Sequence, residues 1–271
     1  MNDSIIAFVG AGNMARSLAR GLIGAGTAAE AIRAADPDPA QRARFTELGA
    51  ATFERNDAAV AGASAVVLAV KPQLLCGVLE ALAIERGQIV ISIAAGVPLS
   101  ALSARTPPDT PIVRCMPNTP ALLGAGITGM FANAAATAAH RQLADAILSA
   151  AGRTLWLDDE AALDAVTAVS GSGPAYFFYL MDALIDAGES LGLDRATAVT
   201  LTLETAYGAA RMAREGVDSP AQLRAAVTSP GGTTERALSI LDAAGARDVL
   251  QRAVAGAAAR ARELAEEFGR S

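Results

Sequence analysis

The chain has 271 residues, of which 52% are hydrophobic, 18% charged and 4% aromatic, enough apolar material for a core and too much for wholesale disorder. Its length favours two ordinary domains over one. Twenty-two basic against 28 acidic residues leave a formal charge of −6. That argues against a nucleic-acid partner, which requires a basic face to displace phosphate counterions, and fits a protein of the cytoplasm.

Residues 5–9 form a short apolar run ending at Gly10, the pattern of a strand covered on both faces. Residues 13–24 read as a helix with Met14, Leu18 and Leu22 four apart, and residues 31–35 as a second strand. Asp38 then caps, and Pro39 opens, a helix that stops at Gly49. Further strands are predicted over 65–70, 89–94, 112–116 and 126–131, with helices over 74–84 and 141–151. This alternation implies a mostly parallel sheet with helices on both faces.

From Glu160 onward no strand pattern occurs, and helices are predicted over 174–191, 195–215, 220–227, 234–243 and 246–268. The last carries Leu250, Val254, Ala257, Ala261, Leu264 and Phe268 at spacings of three or four. The expected division is therefore an α/β domain over residues 1–159 and an all-α domain over 160–271. In the helix that starts at Pro174, the apolar residues Tyr176, Phe177, Phe178, Tyr179, Leu180, Met181, Leu184 and Ile185 surround the axis. Such a helix must be buried on most sides, and a small domain offers little interior for it, so packing between subunits in a homodimer is expected.

The uncharged stretches 87–104 and 115–139 are broken by Gly96 and Pro98, and by Pro117, Pro120, Gly124, Gly126 and Gly129, so neither reads as a membrane span. Met1-Asn2-Asp3-Ser4 lacks the basic start of a signal peptide. Cys76 and Cys115 read as reduced thiols in small apolar positions. The single histidine, His140, sits in a polar helix opening and reads as solvated. No Cys-x-x-Cys or His-Glu-x-x-His pattern exists, so no protein-ligated metal is expected.

The strongest local signal is Gly10-Ala11-Gly12-Asn13-Met14-Ala15, between the first strand and the first helix. Gly10 permits the tight turn, Gly12 lets backbone approach a pyrophosphate, and Ala15 allows close helix packing, which together describe a dinucleotide site. Asp36, at the end of the second strand, reads equally as an acceptor for ribose hydroxyls or as an ordinary turn starter before Pro37. Arg33, Arg42 and Arg44 nearby keep a 2′-phosphate, and hence NADPH, open beside NADH. Lys71, the only lysine, stands at the carboxyl end of a strand before Pro72 and reads as a cofactor wall. Two loops, Ser170-Gly171-Ser172-Gly173-Pro174 and Thr228-Ser229-Pro230-Gly231-Gly232-Thr233-Thr234, open helices and read as seats for a small carboxylate, or as plain caps.

Together with Ala69-Val70-Lys71-Pro72, Ser92-Ile93-Ala94-Ala95-Gly96 and Met116-Pro117-Asn118-Thr119-Pro120, these motifs make the whole chain resemble the pyrroline-5-carboxylate reductases. The resemblance implies a Rossmann-type N-terminal domain, an all-α C-terminal dimerisation domain that interlocks into dimers and higher oligomers, and reduction of a cyclic imino acid to L-proline with NADH or NADPH. Carried over by position, it assigns Val9, Gly10, Ala11, Gly12, Asn13 and Met14 to the pyrophosphate, with Asp36 and Asn56 at the adenosine side. Ala69, Val70, Lys71, Pro72, Ile93, Ala94, Ala95 and Asn118 join the cofactor wall. Glu160, Ser229, Gly232, Thr233 and Thr234 are assigned to substrate, with the Thr234 hydroxyl at the imine nitrogen as the catalytic group. The chain departs from the family in Asp36, where serine or threonine is frequent, and in Ala226, where some members have asparagine. A β-hydroxyacid dehydrogenase needs a lysine in its helical half, and none follows Lys71. A broader imine reductase and a non-catalytic nucleotide sensor are the other readings; turnover of imines lacking a carboxylate, or binding without turnover, would mark them.

Overall fold

The computed structural model describes residues 4–270, so part of the Met1-Asn2-Asp3-Ser4 segment lies outside the described residues. Eight strands form one sheet among them: β1 (Ile6–Val9), β2 (Ile32–Ala35), β3 (Ala51–Phe53), β4 (Ala65–Leu68), β5 (Ile89–Ser92), β6 (Ile112–Met116), β7 (Gly126–Ala132) and β8 (Gly152–Trp156). Their order is β3-β2-β1-β4-β5-β6-β7-β8, and every neighbouring pair is parallel except β6 with β7. The helices between them are α1 (Asn13–Gly24), α2 (Pro39–Thr46), α3 (Asn56–Val60), α4 (Pro72–Glu80), α5 (Leu99–Ser103), α6 (Ala138–Ser149) and α7 (Ala162–Val166). The chain leaves β1 in one direction and returns on its other side at β4, so the carboxyl ends of these two strands form the topological switch point where ligands bind in such sheets.

Because successive side chains of a strand point to opposite faces, β1 feeds two cores. Ile6 and Phe8 pack with Leu18 and Leu22 of α1, Phe45 of α2 and Ile147 of α6. Ala7 and Val9 pack with Leu75 and Leu79 of α4 and Leu102 of α5. Asp38 caps α2 as expected, its side chain accepting the Ala40 N–H at 2.8 Å.

Helix α6 starts three residues before the apolar pattern does, because Thr137 caps it. The Thr137 hydroxyl accepts the His140 N–H, and His140 Nδ1 accepts the Thr137 N–H at 3.2 Å. The lone histidine thus closes a capping box. Thr137→Ala is expected to cost about 1 kcal/mol, read as a lower urea midpoint with dinucleotide binding unchanged.

Sequence periodicity missed β3, α3, α5, α7 and β8, which have three to five residues each, too few for a period to show. The edge strand β8 adds a second reason, since none of its residues is buried.

By compactness the chain separates into two units, one comprising everything before Gly173 together with the chain from Gly256 onward, the other Gly173–Ala255. These units are cut differently from the expected domains 1–159 and 160–271. Residues of the last helix, α12 (Ala246–Arg270), explain part of the difference. A Cβ added at Gly96 would stand 3.3 Å from the Leu264 and Phe268 side chains of this helix, and Phe268 joins the core of α4 and α5. The apolar stripe of α12 is in this stretch a sheet-covering face.

The second unit holds α8 (Gly173–Ser190), α9 (Arg195–Glu215), α10 (Pro220–Ala226) and α11 (Thr233–Ala243), close to their predicted bounds. Helix α8 approaches α9 closely where Gly188 meets Ala198. Few residues of this unit are buried, among them Ile185, Ala198 and Thr202. Phe177, Phe178, Tyr179 and Tyr207 are each more than 60% exposed. One chain alone therefore leaves unsatisfied the burial that an all-round apolar helix requires.

Candidate active site

The dinucleotide signature lies at the switch point. Gly10 has φ +95°, and a Cβ there would stand 2.8 Å from the Ala69 backbone, so turn and close approach both demand glycine. Gly12 is the N-cap of α1 in ordinary extended geometry and has no side-chain cap. A Cβ added to Gly12 would meet nothing within 4 Å. The fold itself therefore leaves this position open, and the first amides of α1 point out of it with the positive end of the helix dipole. That is the environment a pyrophosphate needs. Val9 and Ala11 are buried beside it, Asn13 and Met14 form the first turn of α1, and Ala15 is buried against the sheet.

A cleft of about 450 Å³ opens beside this turn, lined by Gly10, Asp36, Asn56, Val70 and Leu74 among others. Asp36 takes the turn-starting role that the sequence allowed it and adds a bond to the phosphate loop. One carboxylate oxygen accepts the Ala11 N–H at 2.9 Å and the other accepts the Asp38 N–H at 2.9 Å. It ties the phosphate loop to the turn after β2 while lining the cleft. The nearby arginines are held by the protein: Arg33 donates to the Ala61 carbonyl, and Arg42 to the carbonyls of Asp36 and Pro37. Lys71 is the exposed N-cap of α4, with Pro72 in the first turn, and Ala69 and Val70 lead up to it from β4. Ile93, Ala94 and Ala95 follow β5 at the same sheet edge, where the Ile93 N–H donates to the Leu68 carbonyl. The residues present fit a dinucleotide.

Asn118, assigned to the cofactor wall, has both ends of its side chain engaged. Its amide nitrogen donates to the Ser170 carbonyl at 3.2 Å, and its amide oxygen accepts the Ile127 N–H at 3.0 Å. Both ends of the side chain brace neighbouring segments. The Ser170-Gly171-Ser172 loop likewise gives no open helix start, because residues Thr167–Gly171 form a π-helical turn and the Ser172 N–H donates to the Thr167 carbonyl at 2.8 Å.

The second loop opens a helix. Gly232 is the N-cap of α11 without a side-chain cap, and the Gly232 N–H donates to the Ser229 carbonyl at 3.0 Å. Gly231, at φ +71°, donates its N–H to the Glu235 carboxylate at 2.7 Å, which holds the loop. The amides of Thr233 and Thr234 open the helix, and the half-buried Thr234 hydroxyl makes no hydrogen bond among the described residues. An uncapped helix start of this kind can seat a small anion, with one hydroxyl beside it.

Glu160 is held by its environment. Its Oε1 accepts from Arg114 Nη1 at 2.7 Å and from the Leu99 N–H, at the start of α5, at 2.8 Å. Sequence reading passed over Arg114, which is 5% exposed. The available signal was a lone charge inside the otherwise apolar strand Ile112–Met116. Neither cysteine enters this chemistry. Both are free, and burial pushes the Cys115 thiol far above its usual range, so it stays protonated.

A glycine-rich turn at the switch point of a mostly parallel sheet, followed by a helical unit, is the architecture of a dinucleotide-dependent oxidoreductase. Comparison with known proteins narrows the class. The family described as "NADP oxidoreductase coenzyme F420-dependent" matches residues 5–96, and that described as "Pyrroline-5-carboxylate reductase dimerisation" matches residues 160–264. Pyrroline-5-carboxylate reductase of Pseudomonas aeruginosa is 53% identical over 272 residues, covering 99% of this chain and all of that protein. The structure of the Coxiella burnetii enzyme superposes with a TM-score of 0.91 at 41% identity, covering 97% of this chain and 99% of the other. That of the Plasmodium falciparum enzyme with NADP bound gives 0.86 at 27% identity, covering 98% and 99%. This chain belongs to the pyrroline-5-carboxylate reductase family.

Proposed function

We propose that the α1 turn holds the dinucleotide and the α11 loop the substrate in the reaction of this family, the reduction of 1-pyrroline-5-carboxylate to L-proline that closes proline biosynthesis. NADH or NADPH, when bound, supplies the hydride. The amides of Gly12, Asn13 and Met14 hold the pyrophosphate, Asp36 and Asn56 flank the adenosine end, and Ala69 to Pro72 with Ile93 to Ala95 guide the chain toward the ring. The amides at Gly232 and Thr233 seat the substrate carboxylate with Ser229 alongside, and Glu160 completes the substrate site. The Thr234 hydroxyl donates to the imine nitrogen, or relays a water proton to it, as the C=N electron pair moves onto nitrogen. The protein thus orients reactants that carry their own reactivity, which needs no histidine dyad.

The observation that carries this reading is the uncapped start of α11 beside an unbonded threonine hydroxyl. Oxidation of NADH and NADPH, followed in parallel with pyrroline-5-carboxylate, tests it; binding of either dinucleotide with no oxidation would overturn it.

The chain acts as a homodimer, the unit from which any higher assembly is built, and the cytoplasm is its proposed place of work. Among the described residues no helix is long and apolar enough to cross a membrane. The exposed aromatic run of α8 is the proposed contact. Tyr179→Asp would place a charge in a desolvated interface, and the expected result is a wild-type dimer and a mutant monomer in sedimentation at micromolar concentration. A wild-type monomer would exclude the assembly.

A further inference from the structure

Arg114 is the buried charge that the mechanism above does not use. It lies level with Ser92, the last residue of β5, which in turn lies level with Leu68, the last of β4. This row sits directly beneath Ile93, Ala94 and Ala95, at the carboxyl edge of the sheet. An arginine 5% exposed in a strand is costly unless its charge is answered, and the answer is Glu160 at 2.7 Å. The way it is answered is uneven. Glu160 Oε1 takes both bonds, from Arg114 and from the Leu99 N–H, while Oε2 takes none among the described residues. The Glu160 side chain remains 28% exposed. One oxygen is locked and the other presented. In the same row the Ser92 hydroxyl is fully buried without a hydrogen-bond partner, so this edge carries polar capacity that the fold alone does not consume.

We infer that Arg114 is a positioning residue for the reaction, fixing Glu160 through Oε1 so that Oε2 faces the ring nitrogen of the bound imino acid. A carboxylate there stabilises the iminium formed when the proton from or through Thr234 reaches the ring nitrogen; hydride then adds to the iminium carbon and the C=N π pair becomes the nitrogen lone pair. A fork held by one guanidinium nitrogen and one helix amide has little rotational freedom, which is how a side chain keeps a charge in place between turnovers. The inference rests on Glu160 belonging to the substrate site.

The test compares Arg114→Met, Arg114→Lys, Glu160→Gln and the Arg114→Met/Glu160→Gln double variant in the full-length enzyme. Each is assayed for kcat and KM with pyrroline-5-carboxylate, dinucleotide binding by fluorescence, and unfolding midpoint. Expected are a fall in kcat/KM for the imino acid of about 100-fold in Arg114→Met and in Glu160→Gln, partial recovery in Arg114→Lys, and dinucleotide binding within twofold of wild type. The double variant should be little worse than either single one, since both act through one carboxylate. If Arg114→Met fails to fold, Arg114→Lys carries the same test, with an expected loss of about tenfold. Lower midpoints with unchanged kcat/KM in the Arg114 variants would make the pair a structural clamp and overturn the inference. Should Glu160→Gln be fully active while Thr234→Ala is not, Glu160 itself would leave the substrate site, and the inference would fall with it.

Discussion

Replacing Thr234 by alanine is expected to lower kcat for pyrroline-5-carboxylate by about 100-fold, the scale of losing one aimed donor at a reacting atom, while leaving dinucleotide affinity and fold intact. The threonine sits in the first turn of α11, its hydroxyl unbonded and its side chain half-buried, so the substitution removes no contact that the helix needs. The helix start is held instead by the bond from the Gly231 N–H to the Glu235 carboxylate. Steady-state kinetics with each dinucleotide, beside a fluorescence titration of NADH, separates the two effects. Because a serine restores the hydroxyl, Thr234→Ser should recover most of the rate. Full turnover in Thr234→Ala would remove the residue from the chemistry.

Two glycines of the phosphate turn should fail in opposite ways. Gly12→Ala adds a Cβ that meets nothing within 4 Å, at a backbone geometry any residue adopts. Its cost to stability should stay within about 1 kcal/mol, the difference between glycine and alanine at an N-cap. Dinucleotide affinity should nevertheless fall by more than tenfold, because the added methyl occupies the space a pyrophosphate must enter. Gly10→Ala drives its Cβ to 2.8 Å from the Ala69 backbone at φ +95°. Here the fold is strained, by about 1–3 kcal/mol from backbone conformation before the clash is counted. Urea unfolding and NADH titration of both variants distinguish the cases. A Gly12→Ala protein binding NADH as wild type does would mean the pyrophosphate lies elsewhere.

These contrasts also mark how far the site was legible in sequence. The G-x-G-x-x-A turn was, because its chemistry is local: six consecutive residues supply the turn, the amides and the packing. The same holds for the Ser229 to Thr234 loop, whose glycines and following helix pattern lie side by side. Asp36 was only half legible. Its turn with Asp38 spans two residues, whereas its bond to the Ala11 N–H joins positions 25 apart. Asn118, assigned to the cofactor wall by resemblance, and the Ser170 loop, read as a carboxylate seat or a plain cap, bond each other. The π-turn that consumes the amides after Thr167 has no composition signature to announce it. Arg114 and Glu160, 46 positions apart, meet only once β6 is laid in the sheet and the chain has returned past β8.

What the amino-acid order determined unaided was everything carried by short-range physics: strands two-sided and apolar, helices with their caps, an alternating half followed by a purely helical one, and a helix too apolar to stand alone in solvent. What only the three-dimensional arrangement decided was pairing at a distance. It set the strand order that opens a crevice between β1 and β4, assigned the end of α12 to the core beneath Gly96, and chose which oxygen of Glu160 is held and which is left to act. Local propensity is written residue by residue; a hydrogen bond between remote segments depends on the packing of everything between them.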